Sequence, residues 1–381
     1  MEKRAIGPDL LRGLAILLVA GTHMSNPDLP DAFMQSAIRF GWLGVDIFFV
    51  LSGYLIGTEL LKPVVAGDAP DLRVFYIKRG LRILPVFWLV LAAYVAFPVL
   101  REYETMAPAW RFLTFTFNFG LDLRAAHTFS HAWSLCVEEH FYLVLPFLIL
   151  GLMLVPKRLS RPWLPVVLGL AIVLGGMVLR YALWRAWQAH GGYSVDFMRL
   201  IYYPSYTRLD GLTLGVAMAA LRLFYRPAWD HYARPSLTIP CGLLCLGVAL
   251  HMVMQDGQIL GAFSSVVLYP LFALGVAFIL AGLLEVERHI QWTRWSGLGF
   301  IAAISYSFYL SQKMVYHADT LWLPKAWLHG WGGVAIYYGT AIAAATGIYF
   351  AIERPMLRLR RVLLNRLRNP TDYKVADRKR N

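Results

Sequence analysis

Residues 39–61 read RFGWLGVDIFFVLSGYLIGTELL. Between Arg39 and Glu59 the only charge is Asp46. An apolar run of about 20 residues is the length that crosses a bilayer as a helix. Working outward, comparable runs fall at roughly 8–24, 83–100, 132–155, 163–184, 208–224, 236–254, 259–284, 298–317 and 332–353. Composition agrees. Hydrophobic residues make up 58% of the 381-residue chain and charged residues 15%, where soluble domains sit near about 45–50% and 25%. The 13 Trp and 20 Tyr suit two interfacial belts. The chain therefore reads as an all-α, polytopic integral membrane protein of about ten transmembrane helices. A soluble enzyme and a disordered chain are excluded. The first run is the weakest, because Asp9, Arg12 and His23 interrupt it. It has no signal-peptidase-type site after it and is read as a span.

Charge sets the orientation. Lys3 and Arg4 precede the first run and Arg12 lies near its start; Lys62, Arg73, Lys78, Arg79 and Arg82 lie between the second and third. Lys157, Arg158 and Arg161, then Arg222, Arg226 and Arg234, then Arg288 and Arg294 follow in alternate connections, and a basic tail closes the chain. Most of the 36 Lys and Arg thus fall on one side, the positive-inside pattern. It predicts both termini in the cytoplasm, a transmembrane domain over 1–355 and a basic cytoplasmic tail over 356–381. The net charge of +13 is then topology, not a nucleic-acid footprint, and the tail is placed to rest on anionic lipid. Cys136, Cys241 and Cys245 lack disulfide or zinc spacing and read as core packing. Gly53-x-x-x-Gly57 and Gly211-x-x-x-Gly215 are spaced for close helix approach.

Ionisable residues inside spans are costly and mark function or structural pairing. Arg12 and His23 are eleven residues apart, so they share one helix face about 16 Å apart along the axis. An anion held by Arg12 could extend a thin arm towards His23, a general base near neutral pH; a snorkelling Arg and a capping His is the plainer alternative. His23 also begins a His-x4-Asp pattern with Asp28, but Pro27 spoils a helical pair. Asp46 needs a partner, either His23 or an Arg. Glu138 and Glu139 open a span on the outer side, about 100° apart on the helix, and Glu138 shares a face with Tyr142. One of the two carboxylates also suits a helix N-terminus electrostatically. Arg79-x-x-Arg82, just before the third span, could grip phosphates or simply anchor the chain. Arg208 and Asp210 begin the sixth span. Glycine-rich nucleotide loops, H-E-x-x-H and G-x-S-x-G are missing.

These residues occur in blocks that resemble the membrane-bound acyltransferase family 3, the O-acyltransferases of bacterial surface glycans. The blocks are Arg12-x10-His23, GVDIFFVLSG (44–53), Arg79-x-x-Arg82, WSLCVEEHFY (133–142), Arg208-x-Asp210-Gly211, ISYSFYL (304–310) and Glu353-Arg354-Pro355. They run in order from residue 12 to 355. The resemblance implies a ten-helix core that moves an acyl group, most simply acetyl, from cytoplasmic acyl-CoA to a hydroxyl of an extracytoplasmic carbohydrate. It implies His23 as catalytic residue, steadied by Asp46, with Arg12, Arg79 and Arg82 serving the CoA phosphates and pantetheine arm. Glu138, Glu139, Tyr142, Arg208 and Asp210 would shape the acceptor side. It also implies the bacterial inner membrane, no metal, and acyl-CoA as donor rather than a resident cofactor.

Two departures stand out. Many members carry His where this chain has Gln312, and Gln cannot take a proton charge at neutral pH. Many members also carry a C-terminal extracytoplasmic hydrolase-like domain, for which no room follows Pro355; a second acyl carrier or transferase, if one is needed, would be a separate periplasmic protein. A macrolide-like acceptor and a secondary transporter are the alternative readings.

Overall fold

The computed structural model describes residues 6–24, 35, 38–155, 164–257, 259–289 and 297–368. Asp28 and Pro27, together with Lys3, Arg4, Lys157, Arg158, Arg161, Arg294 and the tail from residue 369, lie outside the described residues.

Helices occur at all ten apolar segments. They are α1 (Ile6–Thr22), α2 (Gly44–Val65), α3 (Leu72–Ala96), α4 (Trp133–Leu154), α5 (Leu164–Ala189), α6 (Asp210–Phe224), α7 (Pro235–Asp256), α8 (Ala262–His289), α9 (Gly297–Trp322) and α10 (Gly330–Ile348). Among the described residues there is no strand, only an isolated bridge between Met106 and Thr128. The chain is a multi-pass, all-helical membrane protein. Seven helical stretches are long and apolar enough to cross a membrane, and these contain α2, α3, α4, α5, α7, α8 and α10.

The other three helices differ for a physical reason. α1 has 17 residues and α6 has 15, short of the ~20 needed for an untilted crossing. α9 is 26 residues long but buries Ser305, Ser307, Ser311, Gln312 and Asp319. All three pack against other helices: α6 lies on α2, and α1 lies between α2 and α9. A helix enclosed by protein has its polar groups satisfied there and need not be apolar all round.

The α2–α6 seam shows how sequence fixes the packing. A Cβ on Gly53 would stand 2.1 Å from the Leu212 carbonyl oxygen, and one on Gly215 would stand 2.3 Å from the Val50 oxygen. Gly57 and Gly211 face Val216 and Phe49 in the same seam. The two small-residue motifs therefore interlock, backbone against backbone. Elsewhere the three cysteines are free; Cys136 is buried, while Cys241 and Cys245 are only half-buried.

One boundary moves in a way that matters. The third helix begins at Leu72, not near residue 83. Asp71 caps it, its side chain accepting from the Val74 N–H at 3.0 Å, the usual service of an Asp at that position. Arg79 and Arg82 thus sit inside α3 rather than before it. At the other end, Tyr349–Glu353 form a π-type turn, and the chain continues as α11 (Arg354–Arg368), packed against α3. Helix therefore extends through residues 356–368, which the sequence reading assigns to a tail.

Candidate active site

A cavity of about 1180 Å³ penetrates the basic end of the bundle. Its outer walls carry Lys62, Lys78, Arg79, Arg82, Arg360 and Arg361; Arg12 of α1 also lines it. Its deep end is lined by Ser52, Glu138, Ser134, Tyr306 and Tyr309. Lys and Arg side chains cluster along one part of the lining, while Ser, Tyr and the Glu138 carboxylate line another.

The wall charges are partly engaged. Glu59 accepts from Lys78 Nζ and Arg79 Nη2, each at 2.7 Å. The Arg79 guanidinium lies 5.7 Å from the Tyr142 ring centre and 5.8 Å from that of Phe75. Arg12 pairs with Asp9 at 3.1 Å. Glu138 accepts from Ser52 Oγ at 3.0 Å and from the Tyr142 hydroxyl. Glu138 and Tyr142 therefore share the cavity with Arg79 and Arg82, and do not form a separate outer surface. The reason is their position: both lie more than a turn inside α4, on the face turned to α2. Glu139 does not line the cavity, and its Oε1 is buried with no hydrogen-bond partner.

The cavity stops at a hydrogen-bonded pair. Ser134 Oγ lies 2.7 Å from the Tyr309 hydroxyl, which in turn donates to the His131 carbonyl. Behind this pair lies the His131 ring, 5.4 Å from Tyr309 and 5.7 Å from the His23 ring, centre to centre. His131 is buried; its Nε2 lies 3.3 Å from the Leu310 carbonyl, and its Nδ1 has no partner. A carbonyl only accepts, so the proton sits on Nε2 and Nδ1 presents a bare lone pair. His23 Nδ1 meets Gln312 Nε2 at 3.2 Å, and Gln312 Oε1 is buried without a partner. Just beyond, Lys313 pairs with Glu102 at 2.9 Å and reaches Ser130 Oγ at 3.3 Å. Arg12 lies in α1 and lines the cavity, whereas His23 sits in the turn that directly follows α1 and does not line it.

Asp46 is not near His23 in hydrogen-bonding terms. Both its oxygens accept from Arg208 Nη2, at 2.8 and 2.9 Å. Asp210 likewise holds Arg180, with contacts of 2.7 and 3.0 Å. The Arg208 guanidinium sits 4.0 Å from the Tyr269 ring centre, 4.6 Å from Tyr202 and 5.2 Å from Trp133. Arg208 is 1% exposed and Asp210 3%, so both are enclosed in the core. Of the residues singled out in the sequence, Arg12, Arg79, Arg82, Glu138 and Tyr142 are brought together around one cavity, whereas Asp46, Arg208 and Asp210 are brought together in a knot apart from it. At the foot of α10, Glu353 accepts from Ser307 Oγ at 2.6 Å, joining two further sequence blocks.

Sequence reasoning passed over His131, Ser134, Tyr309 and Arg360. His131 stands two residues before the WSL block and so lies outside it. Ser134 and Tyr309 lay inside quoted blocks but carry no charge to mark them. Arg360 was absorbed into the basic tail.

A family model described as an acyltransferase domain, of acyltransferase family 3, matches residues 6–350. A Bacillus subtilis protein provisionally named as a peptidoglycan O-acetyltransferase, YrhL, is 32% identical over 228 residues, 56% of this chain and 32% of that protein. The Listeria monocytogenes peptidoglycan O-acetyltransferase OatA is 30% identical over 231 residues, 57% of this chain and 34% of that protein. The matched segment thus spans about a third of the length of these relatives. No solved structure matches. With the family model covering nearly all of the helical bundle that holds the cavity and the His23 cluster, the chain belongs to the acyltransferase family 3.

Proposed function

We propose that the protein is a membrane O-acyltransferase that moves an acyl group, most simply acetyl, from acyl-CoA to a hydroxyl of a cell-envelope carbohydrate. The observation that carries this reading is the cavity: about 1180 Å³, lined by clustered Lys and Arg and also by Ser134 and Tyr309, with the His131 ring next to Tyr309 and the His23 ring next to His131. A CoA thioester has the matching shape, with phosphates at one end and a thin neutral arm at the other. Arg79 and Arg82 take the phosphates by charge-assisted hydrogen bonds. The arm runs past Arg12, Ser52 and Glu138 to the Ser134–Tyr309 pair. Displacing the Tyr309 side chain breaks two hydrogen bonds and opens the way to His23. The basic end faces the cytoplasm of a bacterial inner membrane by the positive-inside rule.

His23 acts as the general base. It takes the proton of the acceptor hydroxyl as that oxygen bonds to the thioester carbonyl carbon. The carbon–sulfur bond then breaks, and the imidazolium returns its proton to the departing CoA thiolate. Gln312 positions the ring. With its amide turned so that Oε1 accepts from Nδ1–H, the Nε2 lone pair of His23 is free for the hydroxyl proton. That orientation also gives the buried Oε1 a partner. Asp46 contributes indirectly, by holding α2 and the 202–210 segment in place through Arg208. No metal enters these steps.

The test uses purified protein in liposomes, acetyl-labelled acetyl-CoA and a panel of envelope glycans. Wild type is compared with His23→Ala at equal folded yield. Label transferred to glycan by wild type and lost in the variant supports the reading. Thioester consumption without labelled glycan keeps the donor half and removes the carbohydrate acceptor. Transfer that survives in His23→Ala removes His23 from the chemistry.

A further inference from the structure

The helix α11 (Arg354–Arg368) reads RPMLRLRRVLLNRLR and is strongly amphipathic. A basic helix at the end of a membrane domain would ordinarily lie on lipid. Here it packs on α3 and presents Arg360, Arg361, Leu364 and Leu367 to the cavity. Arg360 is half-buried, and its Nε is buried with no hydrogen-bond partner. Its charge is opposed by Arg82, Arg79 and Arg361, and offset only by Glu59 among its strongest electrostatic neighbours. Glu59 is already engaged by Lys78 and Arg79. Around the whole cavity, seven Lys and Arg side chains face three carboxylates. Like charges gathered in a partly enclosed space repel one another, and an anionic ligand between them would relieve that repulsion. One pair, Arg79 and Arg82, comes from α3, and the other, Arg360 and Arg361, from α11. Two opposed pairs fit a ligand with more than one phosphate.

We propose that α11 is the second jaw of a polyphosphate clamp. In it Arg360 and Arg361 close on the phosphorylated end of the donor from the side opposite Arg79 and Arg82. This inference rests on the acyl-CoA reading and deepens it: the donor is selected by its phosphates, not by its thioester arm alone. The same guanidinium groups could instead serve the phosphates of an anionic lipid surface, and the experiment separates the two sources.

Wild type, Arg360→Gln and Arg358→Gln are assayed in phosphatidylcholine liposomes. The donors are acetyl-CoA, its 3′-dephospho form and acetyl-pantetheine. Arg358 is exposed and does not line the cavity. Losing one charge-assisted contact raises the acetyl-CoA KM of Arg360→Gln about tenfold with kcat held. The acetyl-pantetheine KM stays at the wild-type value, and Arg358→Gln follows wild type throughout. A KM change equal for all three donors, or none at all, overturns the clamp. Arg360→Lys, which keeps the charge, retains most of the acetyl-CoA affinity and controls for folding.

A second readout does not need turnover: binding of adenosine 3′,5′-bisphosphate to the detergent-purified chain, followed by calorimetry. If the bisphosphate binds wild type and weakens about tenfold in Arg360→Gln while no donor is turned over, the clamp stands and the acyl-transfer reading falls. If acetyl-CoA is turned over alike by all variants, the clamp falls and that reading stands. An Arg360→Gln defect that arises only in phosphatidylglycerol vesicles assigns the helix to the lipid surface and overturns the clamp.

Discussion

Arg79 and Arg208 are both guanidinium groups inside one helical bundle, and their surroundings could hardly differ more. Arg208 is sealed: its carboxylate partner Asp46 is buried, and aromatic rings of Tyr269, Tyr202 and Trp133 surround it. Arg79 shares Glu59 with Lys78 and looks into about 1180 Å³ of open space. Desolvation is costly for both; Arg208 has a carboxylate to itself, whereas Arg79 must share Glu59 with Lys78. A buried pair of this kind is architecture. An arginine beside a cavity, short of carboxylates, is a place for a ligand.

The comparison can be broken or sharpened by substitution. The largest effect belongs to the cluster beyond the cavity: His23→Ala lowers kcat about 10²–10⁴-fold, the usual span for a lost acid–base group. Its thermal stability stays near wild type, as scanning fluorimetry of the detergent-solubilised protein will show. Next comes the knot. Asp46→Ala leaves Arg208 buried and unpaired, which costs about 3–5 kcal/mol of stability. Denaturant titration reads this, and a variant as stable as wild type but inactive would move Asp46 from architecture to chemistry. At the cavity the balance reverses: Arg82→Gln raises the acetyl-CoA KM about tenfold with little change in melting temperature. Should Arg82→Gln unfold the protein instead, the two regions would not be different in kind. The smallest effect is at the wall. Tyr309→Phe removes two hydrogen bonds and raises acceptor-free hydrolysis of acetyl-CoA about threefold, measured by thiol release.

How much of this was legible in the sequence follows from the same contrast. Charges inside apolar runs stand out, so Arg12, Asp46, Glu138, Arg208 and Asp210 could all be found by inspection. Their partners could not, because Asp46 and Arg208 are 162 residues apart, and nothing local says which distant group a buried carboxylate will meet. The interlocked glycines of α2 and α6 were readable as motifs, yet only the fold shows that each is the other's partner. The start of α3 was misplaced because hydropathy follows apolar residues, whereas the helix is started by the Asp71 cap and carries its basic residues on the cavity side. Neutral site residues such as Ser134 and Tyr309 gave no signal beyond the blocks that contained them. Arg360 was hidden among the other arginines of a basic stretch, since side-chain direction depends on how α11 docks.

The Ser134–Tyr309 wall has a consequence of an electrical kind. An energised membrane stores work as a voltage, and each unit charge that slips across it dissipates about 2.3 kcal/mol per 100 mV. A water-filled hole reaching from one face to a pair of imidazoles would be a ready proton wire. Here the two hydroxyls are spent on each other and on the His131 carbonyl, so neither is left to relay a proton. On the proposed reading, the bundle would pass a small neutral carbon fragment while remaining an insulator.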